Sequence, residues 1–167
     1  MAIWHMNLKD NRKEGKCSDE ELKFRLCKEK GILAIGWNVT AEVNSWQEYR
    51  LKAEKVYTSE KKNLTTACNG FEKMKEGDLV WVANPVTKDW YLTRVIDKNS
   101  EPTICKNLKE FDICSYRICE FLNVTISDEI IALLNSDKIS KRLTLSEIHN
   151  EKMITATNAL VNVKEGK

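Results

Sequence analysis

Tryptophan is the residue type in this 167-residue chain best suited to binding a flat ligand, and the chain has five. Trp37 and Trp46 flank a polar loop, residues 38–45, and an indole ring beside such a loop is well placed to stack on a planar ring. Stacking on a nucleobase contributes about 1–3 kcal/mol per base. For any single tryptophan a core position is the simpler interpretation, because large aromatic side chains dominate core energetics. Trp37 and Trp46 are the two predicted exceptions.

Basic residues near these tryptophans are candidates for contacting phosphate. The predicted contacts are Lys13 and Lys16, in a polar loop near the start, and Arg50 and Lys52, on a predicted helix. The net charge of +2 does not by itself indicate nucleic-acid binding. For each of these side chains a solvated surface charge remains the alternative.

The sequence lacks the motifs that mark common enzyme classes. There is no Gly-rich phosphate loop, no GxSxG and no HExxH. His5 and His149 have no catalytic motif around them, and the many carboxylates are accounted for by helix starts and helix surfaces. We therefore predict that the chain is not an enzyme, and an enzyme acting on nucleotides is the weakest of three alternatives.

The cysteines show no metal-ligand spacing. The chain has six of them and no CxxC pair, and neither histidine lies near a cysteine cluster. We predict reduced, mostly buried thiols with no metal, and no cofactor is indicated. No apolar stretch is long enough to cross a membrane and the N-terminus lacks a signal-peptide layout, so a cytoplasmic location is expected.

A central hairpin is the clearest structural signal. After the turn dipeptide Gly77-Asp78, residues 79–83 form a short apolar run rich in β-formers, and residues 91–96 form a second one after a loop. Apolar residues along both runs indicate a sheet covered on both faces. We predict antiparallel pairing of these two strands, with further strands at residues 3–7, 32–37 and 113–122.

Helices are predicted from capping signals and apolar periodicity. Capping boxes place helix starts at Ser18, Ser45 and Thr144, the last helix continuing to about Asn158. Asn63 is a candidate cap for another helix, and Ser127 for one more. The inward face of the helix after Ser45 is predicted to comprise Trp46, Tyr49, Ala53 and Val56. The fold class is therefore α+β, a strongly bent sheet with helices packed around it.

Four segments are patterns of Gly, Trp and apolar residues: residues 3–7 (IWHMN), 31–37 (GILAIGW), 74–81 (MKEGDLVW) and 90–95 (WYLTRV). Together they resemble EVE-type domains of the PUA-like superfamily, which are relatives of YTH domains. Residues 116–121 (YRICEF) and 142–148 (RLTLSEI) look like the closing strand and helix of that family. The resemblance covers about residues 1–150 and is greatest to versions attached to McrBC-type and other restriction or defence proteins.

This resemblance implies a bent, mixed β-barrel with flanking helices and an aromatic pocket for a flipped or single-stranded base, often a modified one. Carried over by position, Asn7 lines the pocket just past the first strand, and Trp37 lies near its mouth. Trp81, Ala83 and Asn84 match the strand that forms a pocket wall. Together with Trp46, these residues make up the predicted base pocket.

The function expected from this resemblance is recognition of a modified base in DNA, as the specificity module of a restriction or antiviral defence system. The expected partners are such DNA and another subunit, or a fused NTPase or nuclease domain. The alternatives are binding of RNA, or a protein-interaction domain on the same fold. We predict one domain over residues 1–158, with residues 159–167 as a tail or the start of a linker.

Overall fold

The structure, a computed structural model, describes residues 1–10, 12, 17–136, 143–164 and 166. Seven strands and five α-helices occur in these ranges. The strands are β1 (Ile3–Met6), β2 (Ile32–Ile35), β3 (Leu79–Ala83), β4 (Trp90–Val95), β5 (Thr103–Ile104), β6 (Ser115–Phe121) and β7 (Leu145–Glu147). The helices are α1 (Leu22–Lys30), α2 (Trp46–Val56), α3 (Lys61–Lys73), α4 (Asp128–Asn135) and α5 (Glu151–Lys164).

The strands form one mixed sheet in the order β2-β6-β4-β3-β1-β7. β1 pairs parallel with β3, and the other pairs are antiparallel. The first half of β6 lies between β2 and β5, and its last residues pair with β4, so the sheet changes neighbours along this strand. The sheet curls into a half-barrel, which confirms the predicted α+β class and bent sheet.

The predicted hairpin is confirmed. β3 pairs antiparallel with β4 from Leu79 opposite Arg94 to Ala83 opposite Trp90. Alternate residues of β3 enter different cores: Val80 and Val82 join the cluster inside the curl, and Leu79 and Trp81 join a second cluster with α4 and α5. Both faces are therefore covered, as the apolar runs on both arms indicated.

Two predicted helix signals are confirmed by local hydrogen bonds. The Ser45 hydroxyl accepts a hydrogen bond from the backbone N–H of Glu48 at 3.2 Å and begins α2. Ser127 accepts from the backbone N–H of Ile130 at 3.4 Å and begins α4. On α2, Trp46, Tyr49 and Ala53 are buried as predicted, but Val56 is 60% exposed because it lies at the last turn.

Three other predicted helix starts are wrong. α1 begins at Leu22 rather than near Ser18, and the Asp19 side chain accepts the backbone N–H of Glu21. Asn63 lies inside α3, where its side chain exchanges hydrogen bonds with Thr144. Thr144 therefore precedes strand β7 rather than a helix.

The last helix begins later and ends later than predicted. Asn150 accepts the backbone N–H of Met153 at 3.0 Å in its first turn, and the helix continues to Lys164 rather than ending near Asn158. Val161 from its last turns is buried in the second cluster. None of the helices that the structure describes combines the length and apolar character needed to span a bilayer.

Candidate functional site

One cavity contains Trp37 in its wall and is called the Trp37 cavity. Its volume is about 560 Å³. It is lined by Arg12, Lys23, Gly36, Trp37, Asn38, Thr40, Val56, Tyr57, Ser59, Glu60, Asp112 and Thr144. These residues come from the segment after β2, the end of α2 and the turn that follows it, α1 and the segment before it, and the segments before β6 and β7. The lining combines polar and apolar surface and carries both signs of charge.

The segment just after β2 is held in one conformation by hydroxyl groups. Tyr49 donates a hydrogen bond to the carbonyl of Gly36 and lies 3.2 Å from that of Trp37, and Tyr57 donates to the carbonyl of Asn38 at 2.6 Å. Trp37 itself adopts a left-handed backbone conformation with φ of 61°, which costs free energy for a residue with a Cβ. Such conformations persist where the surroundings enforce them, and they cluster at functional sites.

The indole of Trp37 is fixed as well. Its Nε1–H donates to the Glu60 carboxylate at 3.0 Å, and its side chain is mostly buried, with the residue 7% exposed. Because the ring cannot rotate without breaking this bond, it forms a rigid apolar part of the cavity wall. A planar ligand ring would stack on this indole without any change in the orientation of Trp37.

A buried ion pair lines the same cavity. Lys23 Nζ contacts the Asp112 carboxylate at 2.9 Å, with only 3% and 4% of the two side chains exposed, and Lys23 also donates to the carbonyl of Lys9. Gly36 is required here, since a Cβ at this position would lie 2.0 Å from the Asp112 carboxylate oxygen. The pair therefore depends on α1, β2 and the loop before β6 being packed together.

Arg12 brings a second cation to the cavity. Its guanidinium donates to both carboxylate oxygens of Asp10, at 2.9 and 2.5 Å. Burial acts to raise the pKa of Asp10, but hydrogen bonds from Arg12 and from the backbone of Cys17 outweigh it and hold that pKa below its usual value. The hydrogen bond to Asp10 raises the pKa of Arg12, so this side chain stays charged.

A second, smaller cavity of about 280 Å³ lies at the ends of β1 and β3 and is called the Trp90 cavity. It is lined by His5, Met6, Asn7, Lys9, Ala83, Asn84, Pro85, Lys88, Trp90 and Asn135. The segment 7–9 separates it from the Trp37 cavity: Asn7 and Lys9 line the smaller cavity, and the Lys9 carbonyl accepts from Lys23 of the larger one.

The structure distributes the residues predicted for one base pocket over the Trp37 cavity, the Trp90 cavity and the core. Trp37 lines the larger cavity, whereas Asn7, Ala83 and Asn84 line the Trp90 cavity. The resemblance placed them together, but the wall formed by the chain after β1 divides them.

Trp46 and Trp81 belong to the core, which corrects their placement in a pocket. Trp46 is 2% exposed, stacks on Tyr49 at 5.6 Å between ring centroids, and donates to Glu72. Trp81 is fully buried, and its indole N–H donates to the Thr157 hydroxyl on α5 at 3.1 Å. Trp81 points away from the inside of the curl because side chains alternate along β3.

The structure does not bring the two predicted phosphate contacts on α2 to either cavity. Arg50 is engaged by Glu72 at 2.5 Å and by Asn69 at 2.6 Å. Lys52 donates to Glu48 at 2.7 Å and to the carbonyl of Glu42. Carboxylates of the protein already balance both charges. The other two predicted contacts, Lys13 and Lys16, lie outside the described residues.

Sequence reasoning missed Lys23 and Asp112. One signal could have revealed Lys23, since it stands four residues before the buried Cys27 and so shares the inward face of α1. Asp112 has no comparable signal, because its left-handed conformation and its contact with Gly36 come from the packing of distant segments.

Five of the six cysteines are buried, and Cys17 is half-buried. Burial raises the pKa of the thiols of Cys27, Cys68 and Cys114 to about 12 in each case. Within the described ranges, no three His, Cys, Asp or Glu side chains gather where a metal ion could be held.

Comparisons with known proteins give similarities of shape only. No protein-family model and no curated protein matches the chain. A crystal structure of protein Atu2648 from Agrobacterium tumefaciens is 16% identical, with a TM-score of 0.42, over 95% of this chain and 92% of that one. The human THYN1 protein, solved in complex with DNA containing 5-methylcytosine, is 15% identical, with a TM-score of 0.46, over 95% and 97%. The function is therefore inferred from the cavity residues themselves.

Proposed function

We propose that this chain is a non-enzymatic nucleic-acid reader that holds an extruded base in the Trp37 cavity. The observation that carries the proposal is the fixed indole of Trp37, strained at its backbone and oriented by Glu60, in the wall of a 560 Å³ cavity. A protein that reads a base takes it out of the stack and holds it by stacking and by hydrogen bonds to its edge. The cavity offers both kinds of contact.

The polar groups around Trp37 suit the edge of a base. Ser59 and Thr144 carry hydroxyls that both donate and accept, and Asn38 adds an amide. Arg12 is the more exposed of the two cavity cations, and a phosphate would have to share its guanidinium with Asp10, whereas Lys23 is held in its buried pair. Lys13 and Lys16 follow Arg12 in the sequence, and we retain both as proposed phosphate contacts.

We further propose that the chain is a PUA-like domain of the EVE and YTH type, as its sequence motifs suggest. In that case it acts in the cytoplasm as the specificity module of a restriction or defence system, with an NTPase or nuclease as a fused domain or separate subunit. The preferred ligand is DNA with a modified base. A buried methyl group adds about 0.8 kcal/mol, a preference of a few fold.

The proposal is tested by fluorescence anisotropy with labelled oligonucleotides. Unmodified, 5-methylcytosine and N6-methyladenine versions of one sequence are compared, as single-stranded DNA, duplex DNA and RNA, at several salt concentrations. We expect saturable binding, favouring one modified form, whose log affinity falls linearly with log salt. The absence of binding to every nucleic acid at low salt would reject the proposal in favour of a protein-interaction domain.

Replacing Trp37 separates a binding role from a structural one. Trp37→Asn removes the indole, and asparagine tolerates the left-handed backbone better than most residues. We expect affinity to fall about 5- to 150-fold, the range that corresponds to one stacked base, while the protein stays folded. Thermal melting and anisotropy are measured on the same sample.

Two variants accompany it as comparisons. Arg12→Gln should weaken modified and unmodified ligands alike and reduce the salt slope by about one unit. Lys98→Ala, on an 81% exposed lysine outside both cavities, should change neither. A folded Trp37→Asn protein that binds normally, or a variant that no longer folds, would contradict the pocket assignment, because Trp37 also packs within the hydrophobic core.

A further inference from the structure

The Trp90 cavity has an aromatic wall that is partly open to solvent. Trp90 is half-buried at the start of β4, and its ring lies 5.6 Å from that of His5, tilted by 58°. The indole N–H donates to the Asn135 side chain of α4 at 3.4 Å. The ring is thereby held between the sheet and a helix, while part of it borders the cavity.

The charge of this cavity differs from that of the Trp37 cavity. Lys9 and Lys88, both exposed, are the charged residues in its described lining, which contains no carboxylate. The Trp37 cavity instead sets Glu60 and Asp112 against its two cations. Two carboxylates lie close to this lining: Glu21 accepts from the side chain of Asn84, a lining residue, and Asp89 accepts from the Thr87 hydroxyl.

The turn that carries Lys88 is firmly built. The Asn84 side chain accepts the backbone N–H groups of Val86 and Thr87 at 2.9 and 3.1 Å, and its backbone bonds to those of Lys88 and Asp89. Lys88 adopts a left-handed conformation with φ of 66°, uncommon for a residue with a Cβ. The cation is thus set beside the cavity by a rigid turn rather than by a mobile loop.

We infer that the Trp90 cavity is a second site, which binds a nucleotide through its aromatic base and its phosphate together. Trp90 provides the stacking surface, and Lys9 and Lys88 provide the positive charge. The volume of about 280 Å³ is near the lower end of ordinary ligand sites and suits one nucleotide rather than a longer fragment. The nucleotide is either free or one unit of a longer strand.

This site does not depend on the base pocket proposed above, because its residues lie beyond the wall formed by segment 7–9. The proposals for the two sites can therefore be rejected independently of each other. A strand that occupied both would pass over that wall, where Asn7 and Lys9 would lie against it.

The test is a titration of ¹⁵N-labelled full-length protein followed by ¹H–¹⁵N NMR. The probes are adenosine and cytidine 5′-monophosphates, the matching nucleosides, inorganic phosphate and a short single-stranded oligonucleotide. Spectra of Trp90→Phe identify the Trp90 indole signal. We expect this signal and the backbone amides of residues 84–89 to shift saturably with the monophosphates, and less with nucleosides or phosphate alone.

Variants assign the two parts of the ligand. Trp90→Leu should weaken binding, followed at the backbone amides, by about 5- to 150-fold. Lys9→Ala combined with Lys88→Ala should weaken it several-fold and flatten its salt dependence, whereas Lys98→Ala, at the opposite end of the hairpin, should not. Melting curves on each variant show that the fold is kept, and the double lysine variant alters only exposed side chains.

The outcomes are decisive in both directions. Shifts with free monophosphates support a nucleotide site, and shifts with the oligonucleotide alone support a site for one unit of a strand. Trp37→Asn should leave the monophosphate shifts unchanged. Binding at the Trp90 cavity can therefore be judged whether or not the base pocket proposed at Trp37 is correct. No shift of the Trp90 signal with any probe, or equal shifts with phosphate alone, would overturn the inference.

Discussion

At the scale of single residues, the Trp37 cavity depends on charges that are buried in pairs. Lys23 and Asp112 are almost completely removed from water and lie 2.9 Å apart. Removing one partner of a buried pair leaves the other charge without compensation, which costs about 3–5 kcal/mol, whereas replacing both is often nearly neutral. The side chains that shape this cavity therefore also stabilise the fold.

Lys23→Met should lower the free energy of unfolding by about 3–5 kcal/mol. Adding Asp112→Asn should recover part of that loss, because the uncompensated carboxylate is gone. Urea unfolding of both variants measures the effect. Lys30→Met, at an exposed position of the same helix, is the matched control and should change stability little. Equal losses for Lys23→Met and Lys30→Met would show that the buried pair is unimportant.

Asp10 should make the fold sensitive to acid. Its pKa in the folded protein is below its usual value of 3.8, so its contribution to stability is complete above that value and is lost as pH falls through the lower folded pKa. We expect the stability difference between the wild type and Asp10→Asn to be constant near neutral pH and to shrink below about pH 4. Denaturant unfolding at a series of pH values measures it. A difference that stays constant down to pH 2 would contradict the role of the ionised carboxylate.

At the scale of elements, local signals and tertiary contacts compete for the same residues. Ser45 and Ser18 both begin a Ser-x-x-Glu pattern, yet only Ser45 begins a helix. Near Ser18, the Asp19 side chain instead accepts the N–H of Glu21 in the turn before α1, and no side chain caps that helix. Thr144 also begins such a pattern, but its backbone and hydroxyl bond to Asn63 of α3 and its segment continues as strand β7.

This contrast predicts different effects for matching substitutions. Ser45→Ala should cost about 1 kcal/mol, since it removes the cap of α2. Ser18→Ala should be close to neutral, because its hydroxyl caps no helix. Thermal or urea unfolding of the two variants, measured side by side, tests the difference. Equal effects would mean that Ser18 has a capping role after all.

At the scale of the whole molecule, the curled sheet separates two cores and buries most of the thiols. Burial holds the thiol pKa of Cys27, Cys68 and Cys114 near 12, so these groups form almost no thiolate at pH 8. Cys17 is more exposed than the other five cysteines, because it is only half-buried.

A chromogenic disulfide reagent should therefore modify one thiol rapidly in the native protein and the other five only as the protein unfolds. All six should react at once in guanidinium chloride, which gives the total. Cys17→Ser should remove the rapid phase. Two or more rapid thiols in the native protein would contradict the burial of the cysteines.

The sequence by itself determined the α+β class, the central hairpin and the starts of α2 and α4. These depend on apolar periodicity, turn residues and capping side chains, all of which act over a few residues. It also singled out Trp37, which lines the larger cavity, through a polar loop next to a strand end.

Only the tertiary structure decided where the candidate residues meet. It buried Trp46 and Trp81, separated Asn7, Ala83 and Asn84 from Trp37, and brought Lys23 next to Asp112, 89 residues away in the chain. Arg117 shows the same dependence: it is fully buried in β6, where its guanidinium donates to carbonyls at the end of α3 and in the loop after β4. A local pattern shows that a side chain is apolar or charged. Which distant backbone groups accept its hydrogen bonds, or bury it away from water, depends on how the sheet curls.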